Sequence, residues 1–391
     1  MELLSTYNLI AAREMQLDRI ARYLLINGAL TDDISLFHGK TGMAFFLLHY
    51  AAHRQSDRYR QFAEEILQDV TGAIDSYPQP DYAKGVTGIA WGLEHLLARN
   101  LITTETVTGP LLSSLDERIY GWHHCLSRSY PEELTAHLHY VQARIARAGY
   151  DKKDMEKLVR HEVYINLTDK SERRFQQQYG GDATLLLSLA RTPQHRLAAK
   201  YHEVTDYAGN IIVLSKNLSY NLYPAVTMRL LSDMMQQLLP AAEYLLQHIP
   251  PAAPEAFLYF SMLVELLHAC YTAGKNSGNE EWRIFALEKM FLAIDGYMPA
   301  VDTGFRHSAH IGKTMNMAQI FRRFHLEYKD HALENMYHRT TDHLVDQSYL
   351  MTANSHNKHL GLREGLAGIG LVLLSGIRGD LCYWDESILI S

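Results

Sequence analysis

The sequence predicts an all-α fold, specifically an α/α toroid of about seven helical hairpin repeats, on three observations. First, a glycine pair three residues apart heads an apolar run three times: His38-Gly39-Lys40-Thr41-Gly42-Met43-Ala44, Lys84-Gly85-Val86-Thr87-Gly88-Ile89-Ala90 and Glu364-Gly365-Leu366-Ala367-Gly368-Ile369-Gly370. Gly39 and Gly85 are 46 residues apart, inside the window that marks stacked supersecondary units. Second, the apolar spacing after each pair is helical: Met43, Phe46, Leu47 and Tyr50; Ile89, Leu93, Leu96 and Leu97; Ile369, Val372 and Leu373. Third, period-2 alternation is scarce, with Asn210-Ile211-Ile212-Val213-Leu214 the best strand candidate and a short one.

Taken in order, each glycine pair starts a helix. Amphipathic stretches fill the spaces between, at Tyr59 to Ala73, Ala225 to Leu239, Ala256 to Tyr271 and Glu280 to Ile294. Degenerate repeats are expected near Glu133 to Arg144, after Tyr179-Gly180-Gly181, and at Gly312-Lys313-Thr314, which repeats the triplet Gly39-Lys40-Thr41. Pro250, Pro251 and Pro254 mark a turn rather than a domain linker, so residues 1–391 are read as one domain. A single hairpin cannot bury its apolar faces alone, and closing the stack into a ring dispenses with capping repeats. Within each pair, the first glycine suits a non-helical entry to an inner helix, and the second lets another backbone approach closely.

Composition narrows the function classes. A net charge of -7 gives no basic field for a phosphate backbone, so no nucleic acid is expected. No apolar stretch of about 18 residues free of charge occurs, so no membrane span is expected. The opening Met1 to Tyr7 lacks a signal peptide's basic region and long apolar core, so a cytoplasmic location is the expectation. Cys125, Cys270 and Cys382 are widely spaced, as reduced thiols would be. Gly-Lys-Thr does not make a phosphate loop, because Ile34 and His307 stand where that motif needs a further glycine.

The residue before the first glycine differs between copies, being His38, Lys84 or Glu364, and packing alone does not demand that variety. These side chains are read as lining a common cavity at the inner-helix ends. His307 and His310 are three apart, as are His356 and His359, so either pair can present two imidazoles on one helical face. A metal there would need further ligands such as Cys270, His268, Glu364 or His38. Candidate catalytic residues are His307 and His310, as proton-transfer groups, and Glu364. Candidates for holding substrate are His38, Lys84, Arg306, Arg363, His356 and His359, the arginines as anchors for an anion at a helix start.

The block Gly361-Leu362-Arg363-Glu364-Gly365-Leu366-Ala367-Gly368-Ile369-Gly370-Leu371, with the two N-terminal copies, resembles the lanthionine synthetase C-like (LanC-like) family. The resemblance implies a seven-hairpin α/α toroid in which a central zinc ion activates a cysteine thiol of a precursor peptide for addition to a dehydrated Ser or Thr. It also implies a zinc held by a Cys in a tryptophan-cysteine-tyrosine-glycine turn and by a Cys-His pair before a repeat glycine. Here His310 and Ile311 align with that pair, ahead of Gly312 and Asn316, and Cys270 is followed by Tyr271 and Thr272. The family's ligands are therefore unmatched, and no metal or other cofactor is expected. The function expected is maturation of a ribosomally made peptide bound in the central cavity, with a precursor peptide and other maturation enzymes as partners. The alternatives are a non-catalytic peptide-binding partner and a carbohydrate-processing toroid, for which the four tryptophans would be stacking platforms and Glu364 and Asp302 candidate carboxylates.

Overall fold

A computed structural model describes residues 2–77, 79–103, 109–122, 133–148, 155–180, 184–192, 197–250, 253–304, 310–354, 359–378 and 384–387. Among the described residues there are fifteen α-helices and no strand. They are α1 (Glu2–Asn27), α2 (Lys40–Arg54), α3 (Asp57–Ala73), α4 (Val86–Ala98), α5 (Gly109–Trp122), α6 (Leu134–Ala148), α7 (Met155–Tyr179) and α8 (Leu185–Ala190), followed by α9 (Leu197–Ser219), α10 (Pro224–Gln247), α11 (Ala253–Ser277), α12 (Glu280–Gly304), α13 (Ile311–Tyr328), α14 (His331–Ala353) and α15 (Leu366–Arg378). The apolar run at 210–214 lies inside α9 with Ile211, Ile212, Val213 and Leu214 all buried. A helix buried on every side loses its polar stripe, and a short window of it then looks like a strand.

The chain divides into two compact units, the first made of residues 1–119 and 308–388, the second of 120–307 with 389–391. In the first unit the helices alternate between two kinds. Every residue of α2 from Lys40 to Ala51, of α4 from Val86 to Leu97 and of α15 from Leu366 to Ser375 is buried. By contrast, α3 buries Ala63, Ile66, Leu67 and Val70, the single face of a helix that covers a core. Fully buried helices beside one-faced ones are the inner and outer members that a hairpin repeat requires. The last helix closes on the first two, since α15 packs against both α1 and α2, while α13 pairs with α14.

Two buried arginines fix this unit's flank. Arg13 of α1 and Arg322 of α13 lie 5.6 and 5.1 Å from the ring centre of Tyr337, so one aromatic ring serves two guanidinium groups. Arg322 also donates to the Ser375 carbonyl, and the Trp384 indole donates to the Ser375 hydroxyl.

The second unit is built around α11, which packs against α9, α10 and α12. Glu255–Ser277 is long and apolar enough to cross a membrane by composition, but 89% of its apolar window is buried inside the protein, as a core helix would be. Its one buried acid, Glu265, accepts hydrogen bonds from the Tyr201 and Thr205 hydroxyls on α9, which offsets the cost of an interior carboxylate. Between α7, α9 and α10 a cavity with room for about one water is spanned by the ion pair of Arg174 and Asp206 at 3.0 Å.

Candidate functional site

The glycine pairs build one loop three times. At each helix start the first amide reaches back seven residues: Lys40 N–H to Asp33 O at 2.8 Å, Val86 N–H to Gln79 O at 3.1 Å and Leu366 N–H to His359 O at 3.0 Å. Side chains repeat the pattern, with the Thr41 hydroxyl on Ile34 O at 2.6 Å and the Thr87 hydroxyl on Pro80 O at 2.7 Å. This return presses the loop onto the helix. A Cβ on Gly42, Gly88 or Gly368 would stand 2.3, 1.8 or 1.9 Å from the carbonyl oxygen six residues earlier, of Leu36, Tyr82 or Leu362. Gly39 and Gly85 have extended backbones, φ -118° and -112°, as the expected non-helical entry requires. Crowding, not dihedral freedom, excludes a side chain at either of them, because Asp33 O and Gln79 O would lie 2.1 and 2.5 Å from a Cβ.

The three loops lie side by side. Phe37 N–H donates to Ala83 O at 3.2 Å, and Arg363 N–H donates to Phe37 O at 3.0 Å. Arg363, Phe37 and Ala83 hold the same place in their copies, two before the first glycine, so the last copy sits next to the first and the first next to the second. Their successors Glu364, His38 and Lys84 consequently form a row. The Arg363 guanidinium rests 5.9 Å from the Phe37 ring centre. Glu364 adopts φ 58°, a left-handed conformation costing roughly 1–2 kcal/mol in a non-glycine residue. Its side chain turns onto the first turn of α13, within 3.4 Å of where a Gly312 Cβ would sit, and a carboxylate at a helix N-terminus is favourable.

His38 is half-buried in the middle of the row. Burial lowers its pKa, Asp33 raises it, Lys84 and Arg363 lower it, and Glu364 raises it, with a net shift downward. Two cations and two anions thus surround one imidazole, and their charges offset. The arrangement keeps His38 neutral at neutral pH without creating a strong field for either sign of ligand.

The remaining sequence-derived candidates fall elsewhere. His307, Arg306 and His356 lie outside the described residues. His310 caps the start of α13, half-buried, and its carbonyl accepts the Thr314 hydroxyl at 3.0 Å. His359 is exposed and contributes its carbonyl to the third loop. Lys40 turns away from the row to pair with Asp69 at 2.6 Å. The expected use of helix-start amides as an anion cradle is corrected at α2, α4 and α15, where the first amides are committed to the preceding loop. The Gly312-Lys313-Thr314 triplet is not a fourth copy of that cap. It lies inside α13, and Thr314 bonds four residues back, where Thr41 bonds seven back. Sequence reading missed Asp33, whose carboxylate accepts Ser35 N–H at 2.8 Å beneath His38; the signal was a short acid six residues before Gly39.

The described donors do not fit the zinc that the resemblance implies. Ile311 supplies no ligand, and no group of three or more His, Cys, Asp or Glu among the described residues is placed to hold a metal. Cys270 is buried in the second unit, its thiol donates to Trp282 O at 3.3 Å, and burial pushes its pKa up to about 12, so it stays protonated rather than binding as a thiolate.

Residues 31–104, which carry the first two loops and α2 to α4, match the family model described as lanthionine synthetase C-like protein. No curated protein matches the chain. The matched segment contains two of the three hydrogen-bonded loops, so the similarity to the LanC-like family covers the part of the chain that builds them.

Proposed function

We propose that this LanC-like protein acts in the maturation of a ribosomally made peptide, which it binds across the row of Glu364, His38 and Lys84. The single observation that carries this reading is the pair of backbone hydrogen bonds joining the three loops. They hold a constant scaffold in register while the residue presented at each step changes from acid to imidazole to ammonium. A row of that kind suits an extended chain with alternating polar groups, with Arg363 and Lys84 meeting acidic side chains and Glu364 a basic one. The adjacency of the last and first copies supports the toroid expected from the repeats. The unmatched zinc ligands support a site that works without the family's metal, in a protein of the cytoplasm.

The same lack of fitting donors supports a second reading, a non-catalytic partner that presents the peptide to other maturation enzymes. The carbohydrate reading loses support, because Trp91 and Trp384 are buried in the core rather than offered as platforms. The test is fluorescence anisotropy with labelled synthetic peptides that carry one cysteine, one dehydroalanine and mixed charge. Saturable binding that weakens about tenfold in Lys84→Ala or Glu364→Ala is the expected result. Equal binding by wild type and both variants would sink the proposal, and stoichiometric zinc in the purified protein would overturn its metal-free part.

A further inference from the structure

Two buried imidazoles in the first unit take no part in the row. His49 of α2 and His95 of α4 each stand ten places after the first glycine of their copy, Gly39 and Gly85, about 15 Å from it along the helix axis. Both are more than nine-tenths buried, at 4% and 8% exposure, and their ring centres are 6.3 Å apart. An aromatic residue four places earlier accompanies each, Phe45 before His49 and Trp91 before His95. The Phe45 ring lies 5.4 Å from the His49 ring and 4.9 Å from the His95 ring, and Trp91 lies 5.1 Å from His95. In the third copy the equal places hold Leu371 and Ser375, so the repeat itself does not require imidazole there. The His49 Nε2 is enclosed and makes no hydrogen bond among the described residues. A buried ring nitrogen of that kind is costly to keep unless something binds it. Burial first, then the nearby His95, Arg378 and Arg99, hold the His49 pKa well below its ordinary value, so the ring is neutral and carries a lone pair.

We propose that His49 and His95 form a two-coordinate site for a soft monovalent metal ion, Cu⁺, in the core of the first unit and apart from the row. The spacing of the rings selects the geometry. With metal–nitrogen bonds of about 2 Å, two imidazoles sharing an ion in line set their ring centres about 6.3 Å apart, and at the tetrahedral angle about 5.1 Å. The observed 6.3 Å is the in-line spacing, and the 54° between the ring planes is no obstacle, because in-line coordination fixes no angle between rings. No third His, Cys, Asp or Glu among the described residues joins the pair, which disfavours Zn²⁺ with its four ligands. Cu⁺ is satisfied by two ligands, imidazole suits it, and a single charge is the smaller burden in an interior walled by Phe45 and Trp91. Those ring faces attract a cation, and His95 stands in the last turn of α4, at the negative end of the helix. Arg99 and Arg378 are exposed, so solvent and salt screen their repulsion. The site depends neither on the peptide reading nor on the zinc that the family resemblance implies.

The experiment uses the full chain, with Cys125→Ser and Cys382→Ser as its background because thiols also bind Cu⁺. Competition with the coloured Cu⁺–bicinchoninate complex, in the absence of oxygen, is expected to transfer one equivalent of Cu⁺ to the protein. X-ray absorption is expected to show two nitrogen neighbours at about 2 Å and no sulfur. His49→Phe and His95→Phe keep an aromatic ring in the core, and each is expected to weaken uptake by about 100-fold or more, at least the loss that follows removal of a ligand's supporting partner. Cu⁺ is expected to raise the Tm of the background protein and to leave that of both variants unmoved. If one Phe variant folds poorly the other decides, and the absorption spectrum decides without either. No uptake, uptake equal in both variants, or a sulfur neighbour overturns the proposal. Zn²⁺ uptake that depends on both histidines overturns the choice of ion. Peptide binding at the row is a separate measurement, and none of these outcomes alters it.

Discussion

Replacing Gly88 by alanine tests the loop architecture with an outcome opposite in sign to the ordinary rule. Within a helix that change normally stabilises by about 1 kcal/mol, because alanine loses less backbone freedom. At Gly88 the new Cβ stands 1.8 Å from the Tyr82 carbonyl oxygen and 3.3 Å from the Leu36 Cβ, so the carbonyl must retreat by about 1.2 Å to reach 3.0 Å. Its loop is pinned by Val86 N–H on Gln79 O and by the Thr87 hydroxyl on Pro80 O, and losing both costs about 1 kcal/mol each. Overpacking adds roughly 1–3 kcal/mol. The net effect after the propensity gain is a destabilisation of about 2–4 kcal/mol, a fall in Tm of roughly 5–15 °C for a unit of this size. Gly72, near the end of α3, has nothing within 4 Å of its added Cβ, so Gly72→Ala is expected to raise Tm by about 2 °C. Differential scanning calorimetry of the two variants beside wild type decides the matter. A Gly88→Ala protein that melts at or above wild type would refute the steric account of the glycine pairs.

Acid should weaken the fold through its buried imidazoles. Burial lowers the His137 pKa to about 4 and holds His49 well below its ordinary value, so both are neutral when folded and readily protonated when unfolded. A depressed folded pKa contributes stability that is complete above pH 6.5 and is lost as pH falls from there toward 4, with a ceiling near 3 kcal/mol for His137. Urea unfolding at pH 7.5 and pH 5 should show that loss, and His137→Phe should flatten it; identical midpoints at the two pH values would contradict the assignment. Lys40→Met should change stability by less than about 1 kcal/mol and leave peptide binding intact, because Lys40 faces an exposed Asp69 and not the row. Cys270 should resist maleimide labelling at pH 8 until the protein is denatured, as mass mapping of the modified peptide would reveal.

The fold was legible where its cause is local. Gly42, Gly88 and Gly368 sit against carbonyls only six residues back, so the steric demand that keeps them glycine is written within one loop, and the copies can be aligned by eye. The convergence of His38, Lys84 and Glu364 followed from their equal place in those copies. The seven-residue return of the helix-start amides left no letter of its own, which is why those amides looked available to an anion. The Gly-Lys-Thr resemblance at 312 misled because identical residues entered their helices at different phases. In residues 120–307 the glycine pairs are missing, and helices such as α9 and α11, buried on nearly every side, carry little periodic signal to mark their edges. The family match likewise ends at 104.

The hydrogen bond between Arg363 and Phe37 also sets a timetable for synthesis. Its partners are separated by 326 positions, so the first two loops leave the ribosome long before the third exists. At about 5–20 residues per second that interval is roughly 15–65 s, during which α2 and α15 cannot cover one another and the apolar flank of α2 stays open to water. The nascent chain must therefore tolerate, or be shielded through, a long exposed stage, and the His38 row comes into being only once the third loop has been made.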